Sequence, residues 1–154
     1  MTRHSSADDE SLIAALRLAC GHDPVPGHVT AAARAVFGLR LPGAATARPV
    51  AVPAPSGVRS AERAGLLRFG AGGLTVELDV DSSGGLVDLA GRVSPHPGPD
   101  ARVEVRTPDL TEVRELSPTG QFAVVGLPGG WLSVVCHRPG LAPVATSWTL
   151  VRPG

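Results

Sequence analysis

The chain has 154 residues, with 14 basic and 14 acidic side chains and a net charge of zero. All of the basic residues are arginine, tyrosine is absent, and glycine (19) and proline (15) are abundant. A neutral chain without a basic block lacks the electrostatic footprint of a nucleic-acid binder, and without a run of about 18 apolar residues it predicts no membrane span.

A chain of this length suits one domain, or a small domain with an extension. It buries roughly 68–70% of its unfolded surface and so needs neither disulfide nor metal to fold. The stretch "MTRHSSADDE" has no apolar core of the kind a signal peptide carries. Cys20 and Cys136 are the only cysteines and lie in different segments. In a chain with no signal they read as reduced, buried small hydrophobes, and the expected location is cytoplasmic.

Residues 6–20, "SADDESLIAALRLAC", predict a helix. Ser6 can cap it, with Asp9 three residues on in a capping-box position. Asp8, Asp9 and Glu10 fill the first turn, where the macrodipole favours negative charge. Leu12, Ile13, Leu16, Ala19 and Cys20 share one face at helical spacing, and Gly21 stops the helix. A second helix is expected over about residues 24–37, with Asp23 as its cap and Pro24 and Pro26 in its first turn. Its apolar face is Val29, Ala32, Ala33, Val36 and Phe37, and Gly38 ends it. Residues 1–40 thus read as a helical extension.

Residues 41–58, "LPGAATARPVAVPAPSGV", contain four prolines and read as an extended linker. Residues 59–154 then form the second region, and from about residue 63 the period changes from 3.6 to 2. "LTVELDV" alternates, with Leu74, Val76, Leu78 and Val80 on one face. "DSSGG" turns into "LVDLAGRV", with Val87, Leu89 and Val93 inward. "ARVEVR" puts Ala101, Val103 and Val105 inside and Arg102, Glu104 and Arg106 outside. "TPDL" turns into "TEVREL", whose Glu112 and Arg114 are expected to face that Arg–Glu–Arg stripe. Gly120 supplies a turn before Phe122 and Val124, and "LPGG" closes a hairpin into "WLSVVCHR". There Leu132, Val134 and Cys136 point inward, with Trp131, Ser133 and Val135 on the other face. A last strand ends "SWTLV", and Trp148 and Phe122 are placed in the core. The expected class is mainly β: an antiparallel sandwich or barrel of seven to eight strands with an N-terminal two-helix extension.

The opening "GRV", the "ARVEV" strand and the run "TGQFAVVGLPGGWLSVVC" resemble the carboxypeptidase regulatory-like, or prealbumin-like, β-sandwich, over roughly residues 86–151. The run follows that family's G-x-F…L-P-x-G pattern, a set of structural turns. The layout also resembles a group of small actinobacterial proteins in which a helical start with D-P-V-P-x-H-V-x-A-A-R-A-x-F precedes such a sandwich. The matching residues are Asp23, Pro24, Val25, Pro26, His28 and Val29, and Phe37 after one extra alanine. That resemblance implies a genomic neighbourhood with a sigma factor and a caspase-like CHAT-domain protein.

The candidate chemistry is thin. Cys20, His22 and His28, next to Asp23, are spaced C-x-H-x5-H, which is not a familiar zinc clip. Cys136 and His137 are strand neighbours, so they point to opposite faces and cannot pair as nucleophile and base. Asp79, Asp81 and Asp88 gather at the "DVDSSGGLVD" hairpin without the ligand series of a calcium loop. "GAGG" at 70–73 lies between strands and reads as a turn rather than a phosphate loop. The sandwich also resembles transthyretin-like hydroxyisourate hydrolases, whose C-terminal Tyr-Arg-Gly-Ser has no counterpart in "TLVRPG", so their activity is not carried over. The expectation is a non-enzymatic regulatory or adaptor protein with no cofactor and no metal, binding neither nucleic acid nor membrane. Its expected contacts are Leu12, Ile13, Leu16, Val29, Val36 and Phe37 on the helices and Arg102, Arg106 and Arg114 on the sheet. By the resemblance alone, the partner is a sigma factor or a CHAT-type protease system. The alternative is a small-ligand or carbohydrate-binding module using Trp131. An exposed apolar helical face favours the first reading; Trp131 in a concave cleft favours the second.

Overall fold

The computed structural model of the chain describes residues 5–22, 25–51 and 65–152. The chain divides after Arg40 into two compact units, residues 1–40 and residues 41–154. In the first unit, α1 spans Ser5–His22 and α2 spans Gly27–Gly38. α1 runs through Gly21 instead of stopping there; a helical glycine costs about 1 kcal/mol relative to alanine, which weakens a helix without ending it. α2 begins later than its pattern predicts. Pro26 is its cap residue, with φ −54° and ψ 139°, and the Pro26 carbonyl accepts from Val29 N–H (2.9 Å) and Thr30 N–H (3.2 Å). The expected cap at Asp23 lies outside the described residues.

The second unit is mainly β. Its strands are β1 (Ala45–Pro49), β2 (Leu66–Ala71), β3 (Leu74–Ser83), β4 (Leu86–Ser94) and β5 (Arg102–Arg106), then β6 (Thr111–Glu115), β7 (Gln121–Pro128), β8 (Gly130–His137), β9 (Val144–Thr146) and β10 (Thr149–Val151). Hydrogen bonding runs in the order β6-β5-β8-β9-β1-β2-β3-β4-β7, with β10 on β8. β6 and β7, at the two ends of that path, are consecutive in the chain and come side by side, so the sheet is nearly closed. Two hairpins turn on glycine pairs. Gly72–Gly73 joins β2 to β3 and Gly84–Gly85 joins β3 to β4, all four at positive φ. A two-residue loop of that hand matches the twist of the flanking strands.

The ten strands and their mixed pairing depart from the expected seven to eight antiparallel strands. The cause is β1, inside the segment read as a linker. Ala45, Thr46 and Ala47 pair in parallel with Val144, Ala145 and Thr146 of β9. Arg48 and Pro49 then pair antiparallel with Gly70 and Phe69 of β2. One short strand therefore joins the β6-β5-β8-β9 half of the sheet to the β2-β3-β4-β7 half. Pro49 is tolerated because it ends the strand, and the hydrogen bond it cannot donate is followed by one from Val50 N–H to the Arg68 carbonyl (2.9 Å). The last expected strand is likewise split into β9 and β10.

The core is aliphatic and follows the alternation. Val76, Leu78, Val87, Leu89, Val93, Val103, Val105 and Val124 are all buried. Two expectations fail for identifiable reasons. "LPGG" does not close a hairpin: β7 pairs with β4, whereas β8 pairs with β5, β9 and β10. At Gly129 the chain instead crosses between the two halves. In β8, Leu132 through Cys136 are all buried, including Ser133 and Val135 on the face expected to be outside. Ser133 Oγ donates to the Thr146 carbonyl (3.0 Å), and Thr146 Oγ1 accepts from Val134 N–H (2.9 Å). Those bonds satisfy the polar groups that this double burial would otherwise strand.

Candidate functional site

The six helical residues named from the sequence are all solvent-exposed. Leu12, Ile13 and Leu16 on α1 and Val29, Val36 and Phe37 on α2 range from 45% (Val29) to 68% (Phe37) exposed, and α2 buries no residue at all. Arg40 lies over the Phe37 ring at 5.2 Å from its centroid, a cation–π contact. Leu18, off the predicted apolar face, is also exposed. Among the described residues, no helix is long and apolar enough to cross a membrane.

The three sheet arginines do not form one patch. The β5–β6 register sets Arg102 against Glu115, Glu104 against Val113 and Arg106 against Thr111. Residues directly opposite each other share a face. Arg114 therefore stands opposite Val103 and Glu112 opposite Val105, on the inner face and not on the Arg102–Arg106 stripe. The expected cross-hairpin pairing slips by one residue, which flips every side chain. Arg114 Nη1 instead donates to Glu112 Oε2 at 2.9 Å on its own strand. An inward-pointing charged pair at the end of a sheet discourages edge-to-edge association.

Arg106 has a different companion. Its guanidinium sits 5.9 Å from the centroid of Trp148, which is half-buried rather than in the core. Trp131 is 51% exposed and pairs across strands with Leu150, 46% exposed. The alternation carried the signal for this: with Val151 inward, Leu150 must face out. At the other end of β8, His137 Nε2 lies 3.1 Å from Glu104 Oε1. Trp131 thus stands on an open strand face. A shallow groove of about 450 Å3 lies elsewhere, on the outer side of β3, β4 and β7. Glu77, Asp79, Arg92 and Gln121 rim it over a floor of Ala90 and Ala123.

The remaining polar candidates do not converge. Asp88 Oδ1 accepts from Gly126 N–H at 2.9 Å and so braces the kink in β7. Asp81 Oδ1 accepts from Ser82 N–H, also at 2.9 Å. Among the described residues no group of three or more His, Cys, Asp or Glu side chains is placed to hold a metal ion; Asp23 and the His22 side chain lie outside them. Cys20 is exposed, contrary to expectation, whereas Cys136 is buried. Burial pushes the Cys136 thiol up, partly offset by the Arg138 charge. Because the thiolate is the reactive form, titration of the native chain with a disulfide reagent at neutral pH is expected to modify one thiol, Cys20. The second should react only in denaturant; two fast thiols in the native protein would contradict the placement of Cys136.

No family model, no curated protein and no solved structure matches the chain.

Proposed function

We propose that the chain is a non-enzymatic regulatory or adaptor protein, in which a prealbumin-like β-sandwich carries an N-terminal helical arm that binds a protein partner. The observation that carries this reading is the exposure of Leu12, Ile13, Leu16, Val29, Val36 and Phe37 on two short helices. α2, with 12 residues, is marginal alone in water, and helices gain most of their stability by burying an apolar face. A partner offering a groove supplies that burial by helix-in-groove docking. A sigma factor or a CHAT-type protease system is the candidate partner, as the sequence resemblance implies.

The test uses the full chain and a Leu16→Asp/Phe37→Asp variant as paired baits in lysate of the native organism. Both substitutions fall on exposed positions and leave the β unit untouched. A partner held by the first bait and lost from the second is the expected result. The same partner on both moves the contact to the sheet. No specific partner on either defeats the adaptor reading and calls for ligand screens around Trp131, which is exposed but on an open strand face instead of in a concave cleft.

A further inference from the structure

We propose that the outer face of β8 and β10 seats an acidic, apolar-anchored peptide segment of a protein partner, gripped by Trp131, Leu150 and Trp148 and by Arg106 and Arg152. The inference rests on the adaptor reading and deepens it, by giving the sheet a contact surface of its own and its ligand a chemistry.

Three observations converge there. The first is composition. The chain has two tryptophans, and both stand on this face: Trp131 exposed beside Leu150, and Trp148 under the Arg106 guanidinium. Tryptophan and arginine dominate binding hot spots because each combines a large apolar area with a polar group that remains usable on desolvation. A tryptophan half in water on a strand face contributes little to its own fold.

The second is an open edge. β1 follows β9 only as far as Ala47, then leaves to pair with β2. β10 continues on β8 and, among the described residues, has no strand on its other side. Unpaired N–H and C=O groups beside exposed apolar side chains accept an extended peptide as an added strand.

The third is charge. Among the described residues neither Arg106 nor the exposed Arg152 makes an ion pair. Glu104, two residues along β5 from Arg106, is engaged with His137 at 3.1 Å. That carboxylate is thus already in use. One guanidinium over Trp148 and a second directly after β10 complement carboxylates that flank apolar anchors, and two are too few to hold a nucleic-acid backbone.

The experiment pans a random dodecamer display library against the full chain and measures the enriched peptides by intrinsic fluorescence. With two tryptophans and no tyrosine, the emission reports on this face directly. Enriched peptides should carry Asp or Glu around Leu, Ile or Phe, and shift the emission saturably. They should lose at least ~10-fold in affinity on Trp131→Ala and on Arg152→Glu, both at exposed positions, with folding checked by circular dichroism. Peptides without acidic bias, or bound equally by Trp131→Ala, overturn the proposal. So does an emission shift produced by phosphatidylserine vesicles and by no peptide. Peptides that survive Trp131→Ala but are lost on Leu16→Asp/Phe37→Asp sink this inference and leave the helical adaptor standing. No enrichment at all also overturns this inference, while the helical adaptor reading stands or falls on the paired-bait capture.

Discussion

Gly91→Val should cost the β unit about 3 kcal/mol or more. Gly91 of β4 pairs directly with Phe122 of β7. The Phe122 ring folds over the glycine, so a Cβ built at position 91 would fall on the ring atoms Cζ, Cε1 and Cε2. Phe122 is buried and belongs to the core cluster, so pushing its ring off Gly91 gives up core packing and exposes apolar area. A close-packed interior does not absorb three added carbons by small shifts. Phe122→Ala alone is expected to cost about 3–5 kcal/mol as a cavity. In the double variant the valine occupies part of that cavity, so the two losses should be strongly sub-additive. Urea midpoints of the wild type, both single variants and the double variant decide the matter. Strict additivity would mean that the ring does not lie over Gly91.

That pairing illustrates which parts of the fold were legible. Inward residues of β3, β4, β5 and β7 follow from period 2 alone, because one face of each strand meets the core and the other meets water. The alternation names Gly91 as inward but cannot say that a phenylalanine from a later strand will occupy its missing side chain. Register is the harder quantity. Glu112 and Arg114 alternate with Val113, and either face of β6 could have been the inner one. The wrong choice placed Arg114 on the outer stripe. β8 misled in the opposite way, since local cover over Ser133 and Val135 erases the alternation that its sequence shows. β1 stayed hidden because proline and small residues read as linker, and a parallel pairing with β9, about a hundred residues away, has no local signature. At the candidate site, the exposed helical side chains were legible as an apolar face. The Arg106–Trp148 contact and the open edge of β10 were not, because both depend on where β1 departs.

That hidden strand carries the second large effect. A chain beginning at residue 59, after the segment that reads as a linker, is expected to aggregate or fail to fold. A chain beginning at residue 41 should give a cooperative unit. Among the described residues, β1 is the only strand hydrogen-bonded to both β9 and β2. It also donates from Ala45 N–H to the Pro143 carbonyl (2.8 Å) and accepts at the Ala47 carbonyl from Ser147 N–H (2.9 Å). Without it the bonding path breaks in the middle and two interior strands become bare edges at once, the geometry that recruits other chains. The single-residue version of the test is Ala47→Asp. Ala47 is 0% exposed and sits in the core cluster, so a carboxylate there has no water and no room, and a loss of about 3 kcal/mol or more is expected. Ala47→Gly, which removes a methyl and adds chain entropy, should cost only about 1–2 kcal/mol. Thermal melts of the two truncations and the two point variants, with light scattering for association, measure the series. A 59–154 chain that melts cooperatively at the wild-type temperature would show that β9 and β2 close the sheet without β1. It would also undercut the open edge of β10, since that edge is bare only because β1 turns away to β2.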